Sequence, residues 1–203
     1  MKRHPATDIP EPIPAFSWRG ALNPPFLILL LCATAIPLLA PVDVLERSAV
    51  LTTFSEMVRE AILKINPSWD IATHANSTRY PQMALLANAF FVIAFYLAVA
   101  ISCTLELTQN YNIARARRAA MNTHVNGGAL FGAVILTIFA LISPMILTGM
   151  QGDPSWVAGL TTNNRIGYSM VLGPIMFSLA FVVGQAASYM RFFYDTKRGE
   201  KNA

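Results

Sequence analysis

Few side chains in this 203-residue chain stand where chemistry is usually done. Haem held between helices needs paired histidines within apolar segments. The three histidines here, His4, His74 and His124, all lie outside such segments. A zinc-type site needs His, Cys or carboxylates clustered at ligand spacing, and no cluster of that kind is written in the chain. The two cysteines, Cys32 and Cys103, are far apart. A membrane thiol oxidoreductase needs a reactive pair such as Cys-x-x-Cys. A single buried cysteine behaves as a small apolar side chain. No G-x-S-x-G, phosphate-binding P-loop or H-E-x-x-H occurs. No catalytic residue, metal or cofactor is therefore assigned.

Three polar residues remain as intramembrane candidates: Asn88, Gln185 and Glu106. Asn88 is placed about 9 Å inside one boundary, six residues at 1.5 Å each. Gln185 falls near the opposite boundary, so the two amides are not expected to meet. Each is expected to join neighbouring helices, at about 0.6 kcal/mol. Ion-coupled transport usually needs an ionisable group within the membrane. Glu106 comes nearest, at a span edge, where Arg191 or the Arg115, Arg117 and Arg118 cluster could pair with it. A transporter or channel component would use Asn88, Gln185, Glu106 and the Gly173-Pro174 kink to line a pathway. A membrane enzyme would have Glu106, His124 and Asp153 at the boundary, and these form no constellation.

The elements that hold these residues follow from where charge is missing. The chain is 54% hydrophobic and 13% charged, about half the ~25% of a soluble domain. Residues 24–42, 83–105, 127–150 and 168–190 contain no Asp, Glu, Lys or Arg. A helix needs about 20 mostly apolar residues to cross the hydrocarbon core. Unpaired backbone groups are not tolerated there, and a run such as Phe90 to Phe95 lacks the alternation of a barrel strand. The expected fold is therefore all-α: a multi-pass integral membrane protein with four transmembrane helices. The 24–42 segment has the length of a signal-peptide core. Its long preceding region, with Asp8, Glu11 and four prolines, favours a retained helix.

The polar segments between the spans alternate in charge. Residues 1–23, 106–126 and 191–203 hold ten Lys and Arg, whereas 43–82 and 151–167 hold five. Retained cations mark the cytoplasmic face. Both termini are thus expected to be cytoplasmic, in a bacterial-type inner membrane. Arg115, Arg117, Arg118 and Arg191 would face anionic lipid, at about 1 kcal/mol each. The net charge of +4 is small and dispersed, which argues against nucleic acid as a partner. Trp69 and Trp156 fall in the outer loops, Trp18 precedes the first span, and Tyr80, Tyr168 and Tyr189 sit at span ends, a distribution that fits the preference of amphipathic rings for the headgroup level.

Two further features concern contacts. Leu51, Phe54, Val58, Ala61 or Ile62, and Ile65 recur at helical spacing, which predicts an amphipathic helix over 44–65 in the first outer loop. Asp43 and Glu46 resemble a capping pair at its start, and Asn66-Pro67 should end it. No Pro or Gly lies between Gln82 and Asn126, so the second span is expected to continue as a helix to about Met121. Small residues allow helices to approach closely in lipid. They recur as Gly128 and Gly132, as Ala180, Gly184 and Ser188, and as Ala94, Ala98 and Ser102. Pro37, Pro144 and Pro174 should kink their helices unless they lie near an end. Together these features suggest an accessory or assembly subunit that works through contacts with the bilayer and with other membrane subunits or copies of itself.

Overall fold

The computed structural model describes residues 24–108, 127–149 and 164–201, and these are all helical apart from short connections. The helices are α1 (Pro24–Leu39), α2 (Val44–Arg47), α3 (Ala49–Ile65), α4 (Ile71–Asn76), α5 (Pro81–Leu107), α6 (Gly127–Gly149), α7 (Arg165–Met170) and α8 (Met176–Lys201). A π-helical turn, Val171–Ile175, joins α7 to α8. The Pro-rich segment 1–23, the continuation toward Met121 with Arg115, Arg117 and Arg118, and the 151–163 part of the second loop lie outside the described residues.

Three helices are long and apolar enough to cross a membrane: Pro81–Leu107, Gly127–Thr148 and Arg165–Arg198. They make this chain an integral membrane protein. The apolar Leu27–Leu39 is shorter. The whole of α1, 16 residues, rises about 24 Å, short of the ~30 Å hydrocarbon core.

Contacts fix the directions of these helices. Tyr168 meets Ala84, Gly184 meets Ser102, and Arg191 reaches Leu107, so α7–α8 runs parallel to α5. Tyr96 bonds Leu141 while Trp69 bonds Thr148 at the far end of α6, which places α6 antiparallel to α5. Ser169 with Thr34, and Arg165 with Leu38, make α1 antiparallel to α7. The Pro81 end of α5 therefore lies with Leu39, Gly149 and Arg165, and its Leu107 end lies with Gly127 and Arg191.

Helix α5 is central and packs against α1, α3, α4, α6 and α8. It starts with Pro81, whose missing N–H costs nothing in a first turn. The share of the apolar stretch that is buried is 56% in α5 but only 17% in α6, so α6 is peripheral. The tightest approach is between α5 and α8. A Cβ on Gly184 would stand 2.1 Å from Ser102 Oγ and 3.0 Å from the Ser102 carbonyl carbon. Ala94, Ala98, Ala180 and Ser188 are also buried. Gly132 differs, because nothing lies within 4 Å of where its Cβ would be.

Two of the three internal prolines are answered by hydroxyls and the third by a change of helix type. Pro144 has no N–H for the Ala140 carbonyl, and its ring opens that turn. Ser143 Oγ donates to Ala140 O at 2.7 Å and Tyr96 Oη donates to Leu141 O at 3.1 Å. In the turn opened by Pro37, Thr34 O accepts from Ser169 Oγ at 2.7 Å. Pro174 sits in the π turn, where the wider ring accommodates the lost donor. One residue earlier, Gly173 lets α1 approach, since a Cβ there would lie 2.2 Å from Thr34 Cγ2.

The amphipathic segment differs from the expected single helix. It breaks at Ser48, which has extended backbone (φ −144°, ψ 102°) and accepts from Leu51 N at 3.4 Å to start α3. Asp43 makes no capping bond; its carboxylate pairs with Arg47 at 2.8 Å. Asn66 ends α3, donating its N–H to Ile62 O. Ser55, Val58 and Ile62 form the buried face against α5, while Val50, Met57 and Ile65 stay exposed.

Two glycines separate packing from open space. Gly184→Val is expected to lower the detergent unfolding temperature by the equivalent of about 2 kcal/mol, because overpacking forces two helices apart. Gly132→Val is expected to leave it unchanged. Thermal unfolding of both variants checks this, and an equal loss from both would contradict the packing described.

Candidate functional site

The Pro81 end of the bundle gathers most of the buried polar atoms. Asn88 is fully buried on α5. The Tyr168 hydroxyl of α7 donates to Asn88 Oδ1 and lies 3.3 Å from the Ala84 carbonyl. Asn88 Nδ2 donates to Ile71 O, the first residue of α4, at 3.5 Å. One amide therefore ties three helices together. Tyr168 itself is 1% exposed, which corrects its expected place at the headgroup level. A phenol buried next to an amide gains more from that bond than from an interface it cannot reach.

Two neighbouring contacts hold the connection between α3 and α4. Arg59 Nε and Nη2 each lie 2.7 Å from an oxygen of Asp70, a bidentate pair. Asp70 also caps α4, accepting from Ala72 N at 3.0 Å and from Thr73 Oγ1 at 3.1 Å. The guanidinium beside Asp70, helped by these donors, holds its carboxyl well below the usual carboxylate range. Burial opposes this shift, but less strongly. Trp69 is buried and donates Nε1–H to Thr148 Oγ1 at 2.8 Å. Thr148 passes its own hydrogen to Pro144 O at 2.8 Å. Trp69 is thus a clasp between the α3–α4 segment and α6, not the interfacial anchor expected from its position.

Tyr80 is flanked by two cations at this end of the bundle. The guanidinium of Arg165 lies 5.0 Å and that of Arg79 5.6 Å from its ring centre. Arg165 Nη1 also donates to Leu38 O at 3.4 Å, joining the end of α1 to the start of α7.

The other candidates lie at the opposite end. Gln185 is half-buried beside Gly184, level with Ser102. Fourteen residues of α5 separate that level from Asn88, about 21 Å. Glu106 is buried, one turn beyond Ser102. Arg191 Nη1 donates to Leu107 O at 2.6 Å, and its Nε lies 3.9 Å from Asp195. The three intramembrane polar candidates thus divide between two ends, and the Gly173-Pro174 turn packs on α1. Among the described residues no group of three or more His, Cys, Asp or Glu is placed to hold a metal ion.

Residue type singles out Asn88 as a polar group in an apolar segment, but not Tyr168 as its partner. The available signal was depth: spans entered from the same side place residue 168 and residue 88 within one side chain's reach. No protein family, curated protein or solved structure matches this chain.

The junction gives two tests. Tyr168→Phe and Asn88→Leu are each expected to cost about 1–3 kcal/mol by orphaning a buried partner, and the double variant less than their sum. Unfolding of all three in detergent measures the coupling, and strict additivity would refute the bond. For Asp70 the folded pKa is depressed, so its contribution is complete above the unfolded value of ~3.9 and drains as pH falls below it. Asp70→Asn keeps an oxygen for the cap and loses the ion pair. Its stability is expected to be lower by about 1 kcal/mol at neutral pH, the pair being partly exposed, with a flatter decline on acidification. Melting curves across the acid range check the slope.

Proposed function

We propose that this protein is a non-catalytic membrane subunit that acts through helix contacts, as an accessory or assembly component of a larger membrane complex. The observation that carries this reading is the outer surface of α6. Phe131, Ile135, Leu136, Ile138 and Phe139 are exposed along it, and the site of a Gly132 Cβ faces open space. Gly128 and Gly132 form a step that lets a neighbouring helix approach closely. Within the chain, by contrast, the polar groups at Asn88, Tyr168, Trp69 and Thr148 are used in holding helices together. That use supports a scaffold over a transport pathway through Asn88.

Lipid is the ordinary neighbour of an apolar helix, and a second helix is favoured here by the glycine step. Its occupant is either another subunit or a second copy. The excess of Lys and Arg in 1–23, 106–126 and 191–203 supports a four-span arrangement in a bacterial-type inner membrane, with both termini cytoplasmic. In that arrangement α2 to α4 belong to the first outer loop.

Purification from the native host in mild detergent is expected to bring down a stoichiometric partner or a dimer. Gly132→Phe should weaken that association by about tenfold, equivalent to 1.4 kcal/mol, without lowering the unfolding temperature. A clean monomer would overturn the reading. A tag at either terminus should resist protease added outside intact spheroplasts, and digestion of both would reverse the orientation.

A further inference from the structure

Two cations stand together at the Pro81 end of the bundle without an anion. Tyr80 directly precedes Pro81, the first residue of α5, and Arg165 is the first residue of α7. The Tyr80 ring is half-buried and packs against the core, so it forms a fixed plate. Two guanidiniums share it, Arg165 at 5.0 Å and Arg79 at 5.6 Å from its centre. They are therefore no further apart than those two distances laid end to end. The ring attracts each cation, but it leaves their charge uncancelled.

The ion pairs among the described residues are Arg47 with Asp43, Arg59 with Asp70 and Arg191 with Asp195, and neither Arg79 nor Arg165 takes part. Glu46, at the same end, is bonded by the Gln82 amide. Among the described residues Arg79 makes no hydrogen bond, and Arg165 uses one N–H, toward Leu38 O at 3.4 Å. A guanidinium carries five N–H donors, so most of theirs are open to a ligand. Two like charges held at one ring repel each other, and more strongly where lipid lowers the dielectric. An anion within reach of both removes that cost. Phosphate suits the task, because its oxygens accept parallel N–H bonds from a guanidinium.

Position selects the source of the phosphate. Two spans begin at this end, and headgroups form the layer just outside the hydrocarbon. The surface next to Arg165 is apolar and open. Ile166 and Met170, one turn apart on α7, are 61% and 66% exposed, and Leu39 at the end of α1 is 79% exposed. Acyl chains cover such side chains, whereas a soluble anion gains nothing from them.

We propose that Arg79 and Arg165, held on the Tyr80 ring, bind the phosphate of an anionic phospholipid. A choline or ethanolamine headgroup brings an ammonium that both arginines repel, so a net-negative headgroup is favoured.

The full chain, reconstituted in nanodiscs and released for native mass spectrometry, tests this with glycerol, choline and ethanolamine phospholipids of identical acyl chains. The glycerol lipid is expected to be retained at least about tenfold over the other two. Other cations of the chain attract the same lipid, so the measure is what each substitution removes. Arg79→Gln should weaken retention of one glycerol lipid about fivefold, the worth of one cation near the membrane surface. Arg165→Gln should do at least as much, and the double variant should lose that lipid. Arg47→Gln removes an equal charge at the same end from an arginine that is already paired, and should change nothing. Equal losses from Arg47→Gln and Arg79→Gln, or equal retention of the three lipids, would overturn the proposal. So would inorganic phosphate raising the unfolding temperature of lipid-free protein only when Arg79 is present, since the ligand would then be a soluble anion. A co-purifying protein lost with Arg79→Gln, with lipid retention unchanged, would overturn it too, by giving the arginines to a partner's carboxylate.

Discussion

Hydrocarbon offers a backbone no hydrogen bonds, so each N–H and C=O within a span must find its partner inside the protein. A straight helix solves this alone, but three helical segments of this chain carry an internal proline. Each proline removes a donor and opens a turn. Hydroxyl groups answer at the turns opened by two of them. Ser143 and Tyr96 reach the carbonyls before Pro144, and Ser169 reaches a carbonyl before Pro37. Pro174 is taken up by widening the turn into a π geometry. Two of these hydroxyls come from a neighbouring helix, so satisfying the backbone also positions the helices.

The same constraint explains why the polar side chains gather where they do. Asn88 on an isolated α5 would leave an amide unpaired in a poor solvent. Tyr168 and the start of α4 meet it together. Close packing at Gly184 and Gly173 brings α8 to α5 and α1 to the π turn, and this aligns residues 168 and 88 at one depth. The α3–α4 connection is then secured by Arg59 with Asp70 and by Trp69 with Thr148. Function, on the reading proposed, lies on the surfaces that this internal pairing leaves unused.

Much of the fold was legible because hydropathy and proline are local signals. Charge-free runs mark the long helices, and Asn66-Pro67 marks the end of α3. Other features were not legible, for reasons that can be named. The break at Ser48 exchanges a continuous helix for a serine cap, with Gln82 of α5 receiving the amides of Leu45 and Glu46. No helical periodicity contains that tertiary bond. The burial of Trp69 and Tyr168 reversed an expectation based on distance from span ends, since aromatic preference for interfaces says nothing about which aromatics a neighbouring helix will cover.

By itself the sequence determined the class of protein, because transferring a charge-free run of this length out of water depends on composition alone. It also determined where helices lose a backbone donor, since a proline lacks its N–H in every context. Only the tertiary structure decided that Asn88 belongs with Tyr168, that Gly184 is packed while Gly132 opens outward, and that Trp69 reaches Thr148. Those outcomes depend on which helix faces which, and in lipid that choice rests on shape and a few polar bonds between distant residues.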